Sequence, residues 1–297
     1  MRGGHVTRRM REGSRVQAKG LTMDELMTIA EIQEVADRLR RRTLDMIWHA
    51  QAGHPGGSFS LAEILACLYF RVLRIDPSRP HWPDRDRFIL SKGHAAPIYY
   101  VTLAERGFFS LDALKTYDEL NSILQGHPDM HTPGVDMSSG SLGQGLSPAI
   151  GMALGARLRG QHFRVYVLFG DGEIQEGQVW EAAMAAAAYR LDTVTVIVDW
   201  NKIQLSDHIH KALPMGPIPD KWRAFGWEVR ECDGHDVPSI LGGLEELQRV
   251  QGRPGVLLAH TVKGKGVSFM ENMPAWHAKA PSEQEYLQAK TELAVRR

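Results

Sequence analysis

The chain has 297 residues, a formal net charge of zero at pH 7 and a hydrophobic fraction of 43%. A neutral chain is a poor candidate for a protein that binds nucleic acid or acidic membrane surfaces by general electrostatics. Because no uninterrupted apolar run approaches about 18 residues, we expect no membrane-spanning segment. The two cysteines, Cys67 and Cys232, are too few for a disulfide framework, which favours a reducing, cytoplasmic location.

The N-terminal segment differs in composition from the rest of the chain. Residues 1–22 are rich in arginine and glycine and poor in apolar side chains. This composition predicts a disordered basic tail or an over-long start before Met23, with an arginine-rich targeting segment as the alternative. No linker or internal repeat follows, so we predict one domain over residues 23–297.

The first part of that domain is expected to be helical. Apolar residues recur at helical spacing from Met23 to His49, and a glycine-rich break follows. A second helical pattern covers residues 60–75, where Ser60 and Glu63 have the spacing of a capping box. Residues 88–90 form a short β-rich run, which predicts the first strand.

A long loop and a strand–helix–strand unit occupy the middle of the chain. Residues 125–145 are rich in glycine, serine and proline and predict a long, ordered, functional loop. Residues 163–169 and 192–200 are β-rich, and a strong helix former separates them. Further strands are predicted at 225–232 and 254–262, so the fold class is α/β, with a mainly parallel sheet flanked by helices.

Two loops leave this unit at the carboxyl ends of its strands, with the sequences GDGE and DWNKIQ. Ligands of parallel α/β folds bind at that edge, so Asp171 and Asn201 are expected to face one crevice although they are thirty positions apart. A helix N-terminus at the same turn attracts phosphates. The other glycine-rich phosphate signatures are absent from the sequence.

A bare carboxylate at a phosphate-binding turn is unfavourable. Two unit charges of the same sign about 4 Å apart repel by about 4 kcal/mol at an effective dielectric constant of about 20. A divalent cation between them reverses the sign, and Mg²⁺ shares oxygen ligands between protein and phosphate. Asp171, the amide oxygen of Asn201 and a nearby backbone carbonyl therefore predict a metal-bridged diphosphate. The alternative is a plain tight turn in which Asp171 caps the following helix.

The Gly-Asp-Gly turn followed about thirty residues later by asparagine resembles the thiamin-diphosphate motif. From about Met23 onward the chain resembles the N-terminal, diphosphate-binding half of transketolases, as found in the split, two-subunit form. The segments that carry the resemblance occur in the order found in that family: GHPGGSFS, FILSKGHAAPIYY, GHPDMHTPGVDMSSGSLGQG, GDGEIQEGQVWEAA, VDWNKIQ and TVKGKGVSFMENMPAWHAKAPS.

The resemblance implies two cofactors, thiamin diphosphate and Mg²⁺, with Ca²⁺ or Mn²⁺ as alternatives to Mg²⁺. Asp171, Asn201 and the backbone carbonyl of Ile203 would ligate the metal, and Gly172 would offer its N–H group to the diphosphate. The implied cofactor-binding positions are His94, Gly140, Leu142, Gly172, Asn201 and His277.

The implied catalytic residues are four histidines: His54, His94, His127 and His277. Three of them, His54, His94 and His127, lie in loops flanked by glycine or proline. A histidine in a helix or in the core would not need such neighbours. Cleaving a ketose beside a hydroxyl group requires a base for that hydroxyl and donors for its neighbours, and imidazole titrates near neutral pH. A 2-oxo-acid decarboxylase needs fewer proton shuttles, so the histidines favour sugar chemistry.

Three other positions bear on the resemblance. Glu176 and Glu181 match acidic residues of the subunit interface in the family, with first-turn helix acids as the alternative. Trp200 replaces the Asn or Asp often found before the metal-binding asparagine, and it either covers the cofactor ring or fills a gap. Ala278 stands where glycine is usual after His277.

The resemblance predicts one chain of a transketolase that moves a two-carbon ketol unit from a phosphorylated ketose to an aldose through thiamin diphosphate. The pyrimidine-binding domain of the family is missing, so we expect activity only with a C-terminal partner subunit, in a two-plus-two heterotetramer. The pentose phosphate pathway and a specialised sugar pathway both remain open. The alternatives are a subunit of another thiamin-diphosphate enzyme, such as a 2-oxo-acid dehydrogenase, and a non-catalytic cofactor-binding subunit.

Overall fold

The computed structural model describes residues 27–205 and 207–295. The predicted tail over residues 1–22 lies outside these ranges, as does the start of the first predicted helix. The assignment of residues 23–297 to one domain therefore stays a prediction.

Five parallel strands form one sheet in the order β1-β2-β3-β5-β4. Their bounds are β1 Arg87–Leu90, β2 Val165–Gly170, β3 Val194–Trp200, β4 Glu228–Asp233 and β5 Gly255–His260. All five were predicted to within three residues at each end. The predicted α/β class with a mainly parallel sheet is confirmed.

Strands β1, β2, β3 and β5 are buried on both faces because helices cover both faces of the sheet, as parallel sheets require. The edge strand β4 alternates buried residues with charged ones that are partly or fully exposed. Alternate strand residues belong to two separate apolar cores. In β2, Tyr166 and Leu168 face one core, while Val165, Val167 and Phe169 face the other. Continuous hydrophobic runs in the sequence thus reflect burial from two sides.

The α-helices of the described chain are α1 Ile29–Ala50, α2 Pro55–Phe59, α3 Ala62–Cys67, α4 Ala96–Arg106, α5 Leu146–Arg159, α6 Gly177–Ala188, α7 Ile209–Ala212, α8 Ile218–Ala224, α9 Val237–Gln248 and α10 Glu283–Val295. Helices α1, α3, α4 and α9 pack on one face of the sheet. Helices α5, α6 and α8 pack on the other face. The α1 helix also packs against α10 through a smaller apolar cluster.

Two helix predictions differ from the structure. The capping box lies at the start of α1, where the Thr28 hydroxyl accepts from the Glu31 N–H group and the Glu31 carboxylate accepts from the Thr28 N–H group. The predicted box at Ser60 and Glu63 is wrong, because the Ser60 hydroxyl donates to the carboxylate of Asp199 at 2.7 Å. Tertiary contacts outcompete the local cap at that position.

The predicted helix over residues 60–75 is shorter and irregular. It consists of α3 and a π-helical turn, Leu68–Val72. The glycine-rich segment before it is partly helical, since Pro55 starts the single turn of α2. Helices α7, α8 and α10 were not predicted, because their apolar faces are short or irregular.

The described residues contain no helix with the length and apolar character needed to cross a membrane. Both cysteines are buried free thiols.

Candidate active site

The loops that follow β1, β2, β3 and β5 enclose a cavity of about 220 Å³ at the carboxyl edge of the sheet. Each loop contributes more than one polar side chain to its wall, and the first from each loop are Lys92, Asp171, Asn201 and Lys263. The parallel direction of the strands brings these residues together. The crevice predicted from the sequence is therefore present, and two lysines, Lys92 and Lys263, line it as well.

Asp171 lies at the turn after β2, with its side chain buried against the loop after β3. One carboxylate oxygen accepts from the N–H group of Gly172 at 2.8 Å, and the other accepts from the N–H group of Lys202. Burial, and secondly the negative charge of Asp199, raise the pKa of Asp171 to about 7. A cation that binds beside a buried carboxylate with a raised pKa stabilises its ionised form.

Asn201 and Ile203 are placed by a tight turn in which Lys202 has a φ of 68°. The Asn201 amide oxygen accepts from the Ile203 N–H group at 3.1 Å, and its NH₂ group donates to Asp199 at 3.0 Å. The two bonds together fix the orientation of the amide group, and Asn201 lines the cavity. The Ile203 carbonyl accepts from the Lys263 ammonium at 3.2 Å.

The three predicted metal ligands thus line one cavity, and all of them are oxygen donors. Among the described residues, no group of three or more His, Cys, Asp or Glu side chains is placed to hold a metal. One carboxylate, one amide and one carbonyl instead suit a cation that completes its shell with phosphate oxygens and water, as Mg²⁺ does. The contact between the Lys263 ammonium and the Ile203 carbonyl places positive charge at this position. The three predicted ligands therefore fit a bound Mg²⁺ ion.

Gly172 lies where a larger residue has no room. A Cβ atom at this position would lie 2.9 Å from the Cβ atom of Gln204, which closes the turn from the side of the β3 loop. The Gly172 N–H group donates to Asp171, and its predicted role toward a diphosphate stays a prediction. A 3₁₀ turn, Glu173–Gln175, separates Gly172 from the start of α6, so the turn does not lead directly into the helix.

Lys92 and Asp199 form a fully buried ion pair beneath the cavity, with 2.5 Å between Nζ and Oδ2. Burial opposes ionisation of Asp199, but the adjacent ammonium outweighs it, so the pKa of Asp199 is lowered. The same carboxylate accepts from Ser60 and Thr261. Asp199 therefore ties together the loops after β1, β3 and β5.

Glu173 is a second buried carboxylate that sequence reasoning missed. It accepts from the Ser91 hydroxyl at 2.6 Å and from the N–H groups of Gly143 and Gly170, each at 3.0 Å. Burial raises its pKa to about 7. Its contacts join the long loop to the ends of β1 and β2. The only sequence signal was an acidic residue directly after the Gly-Asp-Gly turn.

Three of the four predicted histidines form a cluster, and two of them, His94 and His277, line the cavity. The ring centroid of His54 lies 5.3 Å from that of His94 and 5.4 Å from that of His277. The His94 and His277 centroids are 4.9 Å apart. Three loops that are distant in sequence thus meet. The glycine-flanked positions of His54 and His94 indicated that these two share a site, whereas His277 has no flanking glycine.

Burial is the main cause that keeps these imidazoles neutral. It lowers the pKa of His54 to about 4 and of His277 to about 3, and it lowers that of His94 as well. The Lys263 ammonium lies 3.0 Å from Nδ1 of His277, which leaves the proton of that imidazole on Nε2. The buried Nδ1 atom of His54 has no hydrogen-bond partner within the described residues, so it is available to a ligand.

His127 lies on the long loop and is exposed. The Tyr100 hydroxyl donates toward the His127 carbonyl at 2.8 Å and holds this part of the loop. Gly140 has a φ of 147°, and a Cβ atom there would lie 3.2 Å from the His127 ring. A buried bidentate pair between Arg85 and Asp136 anchors the loop beside β1. The predicted long, ordered loop is confirmed.

Leu142 lines the cavity and is 40% exposed, as a residue that meets a ligand or a partner would be. Glu176 and Glu181 are both exposed on the first turns of α6. The side chain of Glu176 makes no capping hydrogen bond, which weakens the helix-acid alternative at that position. Trp200 stacks on His260 with 4.7 Å between centroids and packs on the sheet core, so it fills a gap.

A family model described as "Transketolase, thiamine diphosphate binding domain" matches residues 32–296. The 6-deoxy-6-sulfo-D-fructose transketolase subunit SqwG of Clostridium sp. (strain MSTE9) is 44% identical over 264 residues, 89% of this chain and 96% of that subunit. One subunit of the apulose-4-phosphate transketolase of Actinobacillus succinogenes is 45% identical over 265 residues, with the same coverage of each chain. Human transketolase is 39% identical over 249 residues, 84% of this chain but 40% of that protein.

Solved structures of transketolases also align with this chain. The transketolase of Campylobacter jejuni aligns with a TM-score of 0.86 at 33% identity, over 90% of this chain and 43% of that one. The transketolase of Leishmania mexicana aligns with a TM-score of 0.84 at 29% identity, over 91% of this chain and 42% of that one. The chain therefore spans about two fifths of these longer transketolases.

Proposed function

The chain belongs to the transketolase family as its thiamin diphosphate-binding section, and from this premise we propose that it is the N-terminal subunit of a two-subunit transketolase. The enzyme transfers a two-carbon ketol unit from a phosphorylated ketose to an aldose. It is active only when a C-terminal subunit supplies the pyrimidine-binding domain. The names of the relatives favour this function over that of a 2-oxo-acid dehydrogenase and over a non-catalytic binding role.

A single observation carries the proposal: one cavity is lined by Asp171, Asn201 and Ile203, which could offer three oxygen ligands, together with two lysines and two histidines. Asp171, Asn201 and the Ile203 carbonyl would hold Mg²⁺, or Ca²⁺ or Mn²⁺ in its place. Lys92 and Lys263 add positive charge to the same wall, which suits a diphosphate. Thiamin diphosphate, when bound, supplies the carbon atom that carries the two-carbon unit between donor and acceptor.

The histidines would orient the sugar and move its protons. With a pKa well below 7, the imidazoles of His54 and His277 are neutral at physiological pH. A neutral imidazole can accept a proton from a sugar hydroxyl and also donate a hydrogen bond from its other nitrogen. The unpartnered Nδ1 of His54 and the Nε2–H group of His277 are such groups. His127, from the long loop, would contact a sugar hydroxyl at the exposed side.

The partner would cover the exposed edge of this site. Both split relatives are named as subunits, and each is matched over 96% of its length. The exposed Glu176 and Glu181 would contact the partner, and Gly140 and Leu142 would contact the aminopyrimidine from this side. We propose a two-plus-two heterotetramer in the cytoplasm, where two free buried thiols are stable. The relatives' names include two unusual ketoses, so a specialised sugar pathway is proposed beside the pentose phosphate pathway.

An activity test uses this chain alone, its partner alone and the co-purified pair. The donors would be xylulose 5-phosphate, 6-deoxy-6-sulfo-D-fructose, apulose 4-phosphate and pyruvate, each with an aldose acceptor. We expect ketol transfer only from the pair. Full activity of the lone chain would contradict the requirement for a partner, and turnover of pyruvate alone would contradict transketolase chemistry.

A binding test uses Asp171→Ala and the surface control Asp220→Ala, which lies on α8 and pairs with Arg223. Isothermal titration calorimetry would measure thiamin diphosphate binding to the pair of subunits with and without Mg²⁺. We expect Mg²⁺-dependent binding to vanish in Asp171→Ala and to persist in Asp220→Ala, with unchanged circular dichroism in both. Near-normal affinity in Asp171→Ala would exclude the metal bridge.

A further inference from the structure

His235 lies outside the cavity, in the short loop between β4 and α9. Its Nε2 atom accepts from the backbone N–H group of Val262 at 2.9 Å. Its Nδ1 atom lies 3.0 Å from a carboxylate oxygen of Glu63, and the His235 side chain is only 12% exposed. One imidazole thus joins the loop after β5 to helix α3.

The two contacts define the proton on this ring. A backbone N–H group can only donate, so Nε2 of His235 must carry a lone pair. The proton therefore sits on Nδ1 and is donated to Glu63. Glu63 is held as an anion by the buried guanidinium of Arg40, which in turn donates to the Phe59 carbonyl at 3.1 Å. The chain of contacts leaves His235 a single tautomer and a single ring orientation.

The Val262 N–H group is the point at which this network reaches the cavity. The residue before it, Thr261, donates to Asp199, the carboxylate under the cavity. The residue after it, Lys263, contacts both the Ile203 carbonyl and His277. The position of one backbone amide therefore bears on the side chains of its two neighbours. Lys263 lines the cavity, and Thr261 contacts the carboxylate beneath it.

We propose that His235 is a positioning residue, which fixes the backbone of the Thr261–Lys263 segment, and hence Asp199 and Lys263, from behind the site. The role in cofactor binding rests on the proposed function, while the role in holding the segment does not. The residue touches neither cofactor nor sugar. Its neutral imidazole acts as a hydrogen-bond acceptor, a role that an amide oxygen at the same reach can reproduce.

The experiment compares His235→Leu with His235→Gln in the isolated chain. The leucine cannot accept from Val262, whereas the glutamine carbonyl can. Hydrogen exchange would be measured on peptides that cover residues 261–263. We expect exchange about tenfold faster in His235→Leu, from the loss of one partly buried hydrogen bond, and near-wild-type exchange in His235→Gln. His260→Leu is the control, because its ring points outward to Glu231.

Two further readouts separate positioning from general destabilisation. The imidazole ¹⁵N spectrum should contain one Nδ1–H tautomer signal that is absent from His235→Gln. In the assembled enzyme, the KM for thiamin diphosphate should rise about tenfold in His235→Leu and recover in His235→Gln, with kcat little changed. Equal exchange in His235→Leu and wild type would overturn the proposal. If hydrogen exchange changes but the KM for thiamin diphosphate does not, the link between His235 and cofactor binding is overturned, while its role in holding the segment stands.

Discussion

The buried ion pair of Lys92 and Asp199 makes the sharpest prediction about this fold. The ammonium is 2% exposed, the carboxylate is fully buried, and 2.5 Å separates their charged atoms. Replacing Lys92 by methionine keeps an unbranched side chain of similar length but removes the charge. Asp199 would keep its bonds from Ser60, Thr261 and Asn201, and its charge would lose its only ionic partner in the described chain.

The magnitude follows from what remains. Breaking a buried pair by removing one partner typically costs about 3–5 kcal/mol, because the remaining charge stays desolvated. Because three hydrogen bonds to the Asp199 carboxylate remain, we expect the loss of stability to stay within that range. A domain of this kind has about 5–15 kcal/mol of total stability, so the expected loss is a large part of it. Because Lys92 forms a buried ion pair, it stabilises the fold as well as lining the cavity.

Urea unfolding of the isolated chain, followed by circular dichroism, would measure the loss. The control is Lys115→Met, which breaks an exposed pair with Asp112 at 2.8 Å, where both side chains are more than 70% exposed. We expect no measurable change for the control. Adding Asp199→Asn to Lys92→Met should recover part of the loss, because the uncompensated charge is removed.

The outcome that would refute this reasoning is an unfolding free energy of Lys92→Met within about 1 kcal/mol of wild type, since breaking a buried pair cannot have so small an effect. A double variant less stable than Lys92→Met alone would show that the hydrogen bonds of Asp199, and not its charge, dominate.

Three further predictions concern helix α9, the imidazole of His277 and the indole of Trp200. In α9, Gly242→Ala should stabilise the chain by about 0.5–1 kcal/mol, because a Cβ atom there meets nothing within 4 Å. Gly243→Ala should destabilise it in the same urea titration, because its Cβ atom would lie 2.7 Å from a buried leucine methyl of β5. Burial lowers the pKa of His277 to about 3, so the unfolded chain binds this proton more readily. Wild type should therefore lose stability relative to His277→Gln as pH falls from 6.5 toward 3, and an unchanged difference would contradict the shift. Trp200→Phe should leave thiamin diphosphate affinity unchanged in calorimetry, because the indole stacks on His260. A large loss of affinity would mean that Trp200 meets the cofactor after all.

Much of the frame could be predicted from local patterns. Strands with two buried faces appear as continuous apolar runs, which located β1, β2, β3 and β5 near their observed bounds. Asp171 and Asn201 were recognised because each directly follows such a run, and residues that end adjacent parallel strands meet at one edge. Helices α2 and α10 were missed because a glycine-rich turn and a weakly amphipathic helix have no clear period.

The charged residues under the site could not be found in this way. Lys92 and Asp199 are 107 positions apart, and each is an ordinary charged residue until burial pairs them. Ser60 shows the same limit, since its local capping pattern was overruled by a carboxylate from a distant strand.

The sequence by itself predicted the strands, the candidate oxygen ligands and the glycine-flanked histidines, because each depends on neighbours along the chain. The tertiary structure decided which charges are buried, which nitrogen carries the proton in His235 and His277, and that Trp200 stacks on His260. These properties depend on desolvation and on contacts between distant segments, and only the folded chain specifies them.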